Sequence, residues 1–390
     1  MATFTNCSLQ KELADRNKEP LYYVEKVTSP HLTSSTGGFY YALPQNALHI
    51  TCKVVKTKRV KGPYASYAGK YLEIDNVIIG NTVQYALDNI KLTTSSLPDP
   101  DQLYYISPAH PDSLSVPGNM LLFFSPPGAL TGSNPPDTEI KKISLPDNET
   151  AFDFSAIFKQ FAENNLFETI DTIVEKVELD TITIEKTVYK KTMVEKSVEQ
   201  KAKEAAEYIT KLKESKYNLL TGYQEVNYAP ATIQFMYDEL SSLEQQYIEL
   251  FTGVIYQSVA YHHYIIVPQP SQENRPIAFC RFSTTDGIND VEINKGELMF
   301  VQLQSQKTSS TIQCHQNTLV KNDSAMKNQS GIYYRIPAYC DISIFQGNKM
   351  IKEYAAIIAQ FGAVAALPNN ILKFQLDPDT GALKSVVVNR

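Results

Sequence analysis

The chain has no tryptophan, only five cysteines, and no apolar run approaching the ~18 residues that a membrane-crossing helix requires. A helical transmembrane segment is therefore not expected. The cysteines are Cys7, Cys52, Cys280, Cys314 and Cys340; they form no C-x-x-C pair, so a zinc ribbon or dithiol redox motif has no basis. They are also too few for a disulfide scaffold. Cys52, Cys280 and Cys340 fall in apolar, strand-like patterns and read as small core residues, with a disulfide among Cys280, Cys314 and Cys340 as the lesser alternative. Positive charge is in deficit: 36 Lys and Arg against 42 Asp and Glu give a net charge of −6, which argues against a nucleic-acid binder. The H-E-x-x-H, G-x-S-x-G, G-x-G-x-x-G and Walker patterns do not occur, which leaves zincin, α/β-hydrolase and nucleotide-binding chemistry without support. Residues 1–7 carry neither a basic nor an apolar signal region. The chain is then either cytoplasmic or exported with its signal already removed.

What the sequence does have is length, apolar content and tyrosine. With 390 residues, 43% of them hydrophobic, it can bury cores in two or three domains. Its 24 tyrosines suit half-buried strands and binding surfaces alike, and strand filler is the plainer reading. The clearest periodicity lies at 197–253. Val198, Ala202, Ala205, Ile209, Leu212 and Leu219 recur at steps of four and three, with Lys216 in the one gap. Beyond a break at 222–230, Ile233, Met236, Leu240, Leu243, Tyr247 and Leu250 repeat the pattern. The spacing predicts two amphipathic helices joined by a short turn, a long antiparallel hairpin.

Around this hairpin the chain alternates as strands. Strand patterns occur at 48–55, 82–91, 102–106, 254–267, 277–283, 298–303, 331–336, 341–345, 371–376 and 382–388, with short helices at 64–72 and 152–164. Between them, Val174-Glu175-Lys176, Ile184-Glu185-Lys186 and Val194-Glu195-Lys196 recur every ten residues and predict an extended two-stranded arm or edge strand. The expected fold class is α+β: two β-rich, sandwich-like domains with the helical hairpin between them. Residues 1–36 read as an N-terminal extended arm, 37–150 as the first β-rich domain and 151–196 as a linker and extended β arm. Residues 197–253 form the hairpin, and 254–390 the second β-rich domain.

Several short stretches recur in a fixed order: FYYALP at 39–44, KGPYASYA at 61–68, ELFTG at 249–253, RFS at 281–283, YRIP at 334–337, QFG at 360–362 and DTGAL at 379–383. Together they resemble the DUF4831-type proteins, a Bacteroidota family defined as a domain of unknown function, from about residue 39 to the C-terminus. The resemblance implies an exported envelope protein, in the periplasm or at the outer-membrane or cell surface. It implies no catalytic residue, because the family has no established reaction.

The residues that could carry chemistry are weak candidates. His262 and His263 are strand neighbours pointing to opposite faces, a poor basis for a shared metal. Cys314-His315 is adjacency without the geometry of a dyad. Asp377-x-Asp379-x-Gly381 begins like a calcium loop but lacks the distal glutamate. Lys53, Lys56, Lys58, Arg59 and Lys61 read as a strand edge guarded by lysines. No catalytic, cofactor or metal residue is therefore assigned. The better candidate is a protein-binding tip at the hairpin turn, made of Tyr223, Gln224, Glu225 and Tyr228, since tyrosine in a loop supplies contact area at low entropic cost. The expected function is a non-catalytic envelope scaffold or adaptor that binds an envelope protein or forms a homo-oligomer. A glycan-binding module and a hydrolase of envelope polymers are the alternatives.

Overall fold

The computed structural model describes residues 22–28, 38–108, 123–124, 130–132, 166–179, 182–223, 229–306, 331–367 and 371–388. The expected elements at 152–164 and the Cys314-His315 pair lie outside them. Described residues are mostly strand, arranged in several sheets, with three α-helices among them. The chain divides into two compact units, one of Met1–Val54, Leu87–Asp147 and Tyr261–Arg390, the other of Val55–Ala86 and Asn148–Ala260.

In the first unit the alternating residues predicted as strands bury one face. Strands β1 (Tyr22–Lys26), β2 (Phe39–Val60) and β3 (Thr82–Pro108) lie in one sheet. They turn Tyr22 and Val24, Tyr41 and Leu43, and Tyr104 and Ile106 into one core. That core also takes Leu130 of β5 (Leu130–Gly132) and Phe374 and Leu376 of β14 (Ile371–Leu376). β5 and β14 belong to a second sheet with β4 (Phe123–Phe124) and β15 (Leu383–Val388). Tyr104 stacks between Tyr41 and Tyr333, with ring centroids 5.3 and 4.4 Å apart. A third, antiparallel sheet runs in the order β10 (Gly287–Asn289), β9 (Ile277–Ser283), β11 (Glu297–Ser305), β12 (Tyr333–Gln346) and β13 (Lys349–Ala366).

Two features of this unit differ from the sequence reading. The segments expected at 331–336 and 341–345 are one strand, β12, and the sequence assigned no element where the 18-residue β13 pairs with it. Pro337 interrupts the pattern at a bulge. Ile336 pairs with Ala363 and Ala338 with Ile358, so Ala359 to Gly362 loop out of the ladder. Gly362 is required there, since a Cβ would sit 1.9 Å from the Ile336 carbonyl oxygen. The lysine-rich stretch is also not an edge as expected: β2 lies between β3 and β8 (Val254–Ile266). Lys53 pairs with Asp88 at 2.8 Å, and Lys56 lies over the Tyr85 ring.

The second unit holds the repeats and the helices. β6 (Leu166–Leu179) and β7 (Ile182–Glu195) form a ribbon of 14-residue strands in unbroken antiparallel register. The first two copies of the ten-residue repeat meet in that register: Glu175 falls opposite Lys186 and Lys176 opposite Glu185, whereas Glu195 of the third falls opposite Leu166. Helix α1 (Ala68–Leu72) packs with α2 (Val198–Thr221) and α3 (Pro230–Thr252) in a core of Ala68, Ala202, Ala205, Ala206, Ile209, Leu250 and Phe251. α2 starts at Ser197, whose hydroxyl accepts the Gln200 N–H at 3.2 Å while Gln200 Oε1 accepts the Ser197 N–H at 2.9 Å. It ends at Gly222 in the left-handed conformation, and Pro230 opens α3. Tyr208 and Tyr247 bring the two helices together at 4.5 Å, and Lys216 fills the gap in the apolar spacing by pairing with Glu244. No helix among the described residues is long and apolar enough to cross a membrane.

Candidate functional site

The end of the helix pair nearest the 222–230 break carries the largest apolar side chains that its elements leave uncovered. Tyr217 is 65% exposed, Leu220 66%, Tyr223 84% and Phe235 65%. α2 supplies the first two from its last two turns, and α3 supplies Phe235 from its first two. Tyr217 and Phe235 sit off the 3–4 seam that packs the helices, so helix–helix packing does not consume them. The α3 seam itself is incompletely covered here: Ile233, Met236, Leu240 and Leu243 are only half-buried, whereas Leu250 at the other end is buried.

Of the tip residues expected from sequence, Tyr223 stands exposed at this end; Gln224, Glu225 and Tyr228 lie outside the described residues. Tyr217, Leu220 and Phe235 escaped the sequence reading because it followed the periodic seam. The usable signal was the opposite one, large apolar residues lying off the seam in the turns beside the break.

The candidate chemical groups are held by structural partners. Thr51 Oγ1 and His263 Nδ1 lie 2.9 Å apart, and His263 Nε2 is buried with no hydrogen-bond partner among the described residues. Burial, and then the neighbouring His263, lowers the His262 pKa. Cys52, Cys280 and Cys340 are buried free thiols, and burial pushes each up to about 12, which leaves them protonated and unreactive near neutrality. Asp377 Oδ1 accepts the N–H groups of Asp379 and Thr380 and the Thr380 hydroxyl, each at 3.0 Å, and Oδ2 pairs with Lys384. Burial raises its pKa, but these bonds outweigh that and hold it below the usual carboxylate value. The carboxylate thus closes a turn. Among the described residues no group of three or more His, Cys, Asp or Glu is placed to hold a metal ion.

The buried polar groups of the first unit form a structural junction. Arg335 pairs with Asp99 and donates Nη1–H to the Ala359 carbonyl at 3.3 Å. Burial lowers the Arg335 pKa, and Asp99 opposes that shift. Asn46 Oδ1 accepts the Ala359 N–H at 2.7 Å, its own N–H donates to Gln360 Oε1 at 2.8 Å, and its Nδ2 donates to the Asp379 carbonyl at 3.0 Å. The bulge at Ala359 to Gly362 presents these groups, so the junction locks β2, β13 and the 377–381 turn together.

A family model described as a domain of unknown function (DUF4831) matches residues 37–122 and 155–384. No curated protein and no solved structure matches the chain.

Proposed function

The chain belongs to the DUF4831 family, and from that premise we propose that it is a non-catalytic scaffold or adaptor of the cell envelope that binds other proteins through the exposed end of its helix pair. The observation that carries this reading is the grouping of Tyr217, Leu220, Tyr223 and Phe235, each about two-thirds exposed or more, beside the helix break. Aromatic anchors of this kind, presented on a rigid helical support, are what protein interfaces use as energetic centres. The expected antiparallel hairpin between two β-rich, sandwich-like domains suits that role, since it would carry the anchors away from the strands. Gln224, Glu225 and Tyr228 complete the proposed contact surface. The family resemblance, and the ordered set of stretches that carries it, support the proposed envelope location.

The test is a photo-crosslinking residue placed at Tyr223 in the native host, with Ile79, 83% exposed in the same unit, as the control position. The reading predicts one discrete crosslinked species from position 223 and none from position 79. Equal, diffuse labelling at both positions, or none at 223, would contradict it.

One observation favours glycan binding as a second reading. Tyr23 and Tyr40 alternate with core residues on β1 and β2 and so face away from the core, while Tyr105 of β3 is itself buried. Tyr40 and Tyr105 lie 4.9 Å apart, and Tyr23 and Tyr40 are exposed. Aromatic faces of this kind stack on pyranose rings. Binding to a glycan array that Tyr40→Ala abolishes would favour this reading over the first.

A further inference from the structure

We infer that the partner at this helix end is a second copy of the same chain, joined about a two-fold axis so that α2 of one copy meets α3 of the other. This inference rests on the protein-binding reading of the same surface and names its occupant.

The first argument is charge. Several charged residues of the two helices are matched within the chain. Glu199 pairs with Lys70, Glu204 with Lys196, Lys201 with Glu195, Lys203 with Glu207 and Lys216 with Glu244. Others are not matched, although Lys216, nearer the break than Lys211 and Lys213, is paired. On α2, Lys211, Lys213 and Glu214 are exposed and have no ion-pair partner among the described residues. On α3, Asp238 and Glu239 are exposed; Asp238 accepts only the Gln234 side-chain amide at 2.9 Å, and Glu239 has no ion-pair partner among the described residues. α3 contains no lysine or arginine at all. The unmatched residues thus carry net positive charge on one helix and net negative charge on the other. A two-fold pairing sets each against its opposite twice, as an isologous interface requires.

The second argument is the position of the apolar residues relative to these charges. Lys213, Tyr217 and Leu220 lie at i, i+4 and i+7 and form one stripe on α2. Phe235, Asp238 and Glu239 lie at i, i+3 and i+4 and form one stripe on α3. Each stripe therefore combines aromatic or aliphatic anchors with charge of one sign, and the two stripes have opposite signs. A partner built to match both needs the same two stripes exchanged, which a second copy supplies.

The third argument is area. Large side chains bury roughly 150–250 Å² each, so four that are two-thirds exposed offer on the order of 500 Å² per copy, and a symmetric pair about 1,000 Å² in total. That is about the threshold for a specific interface and predicts a dimer of moderate affinity.

The experiment is sedimentation equilibrium on the full chain and on two charge-reversed variants, Lys211→Glu with Lys213→Glu, and Asp238→Lys with Glu239→Lys. All four residues are exposed, so circular dichroism and melting temperature should match the unmodified protein. The unmodified chain should reach twice its 43.8 kDa mass in the micromolar range. Each variant alone, with like charges opposed, should dissociate about tenfold more readily or worse, and an equimolar mixture of the two should recover the doubled mass. Raising the salt concentration on the unmodified protein, which needs no variant, should weaken the pair, since exposed charges are screened. A single-chain mass for the unmodified protein at all concentrations would overturn the inference, as would a mixture no heavier than its components. If the unmodified chain is monomeric while position 223 still crosslinks to a different protein, the self-pairing falls and the protein-binding reading stands. If neither occurs, both fall.

Discussion

At the scale of single residues, the most consequential groups are buried and structural. Arg335, 3% exposed, has Asp99 as its one ion-pair partner among the described residues, where its Nε also has no hydrogen-bond partner. Removing one partner of a buried pair costs more than removing both. Asp99→Asn should lower the unfolding free energy by about 3–5 kcal/mol, while the double change Asp99→Leu with Arg335→Met should cost clearly less. Urea denaturation of the three proteins checks this; equal losses in the single and double variants would refute the pairing. His262 gives a pH dependence of known sign. Burial lowers its folded pKa, so the unfolded chain binds the proton more readily. Its contribution to stability is complete above the unfolded value of about 6.5 and declines as pH falls from there toward the folded pKa. The stability lost between pH 7.5 and pH 5.5 should therefore be smaller in His262→Gln than in the unmodified protein. The sequence identified both histidines but could not anticipate Thr51 or the buried environment, because these come from β2, some 200 residues away.

At the scale of elements, local signals read well where they are short-range. The Ser197 cap, Gly222 stop and Pro230 start all coincide with the periodicity that predicts the two helices. Ser197→Ala removes the reciprocal cap and should destabilise the protein by about 1 kcal/mol, measured as a shift in the denaturation midpoint; no change would mean that the cap is dispensable. The ten-residue repeat was legible as extended structure, and its first two copies fall opposite each other in β6 and β7. β13 was not legible. Its sequence from 349 to 366 is rich in alanine and has no clean alternation, and its conformation is set by pairing with β12. Prolines had the opposite effect. Pro98, Pro100 and Pro337 made β3 and β12 read as separate pieces, whereas the strands continue through them, at Pro337 with a bulge. The lysine-rich stretch misled for a related reason: edge or centre is a property of the sheet and cannot be read from one strand.

At the scale of the whole molecule, the surfaces that the fold leaves uncovered are the ones that point to function. Among the described residues, His263 and the acidic turn are engaged by neighbours, and Cys52, Cys280 and Cys340 are sealed in cores. The end of the helix pair instead leaves large apolar side chains and unmatched charges at the surface. The sequence pointed to this end through Tyr223, and the structure adds Tyr217, Leu220 and Phe235 beside it. The most direct measurement is the native mass of the protein isolated from its own cells, compared between the unmodified chain and the triple variant Tyr217→Ala, Tyr223→Ala and Phe235→Ala. All three positions are exposed, so the variant should keep its melting temperature. The account predicts a defined assembly heavier than one chain for the unmodified protein and the mass of a single chain for the variant. An unmodified protein already at the mass of a single chain, or an assembly that survives all three substitutions, would contradict it.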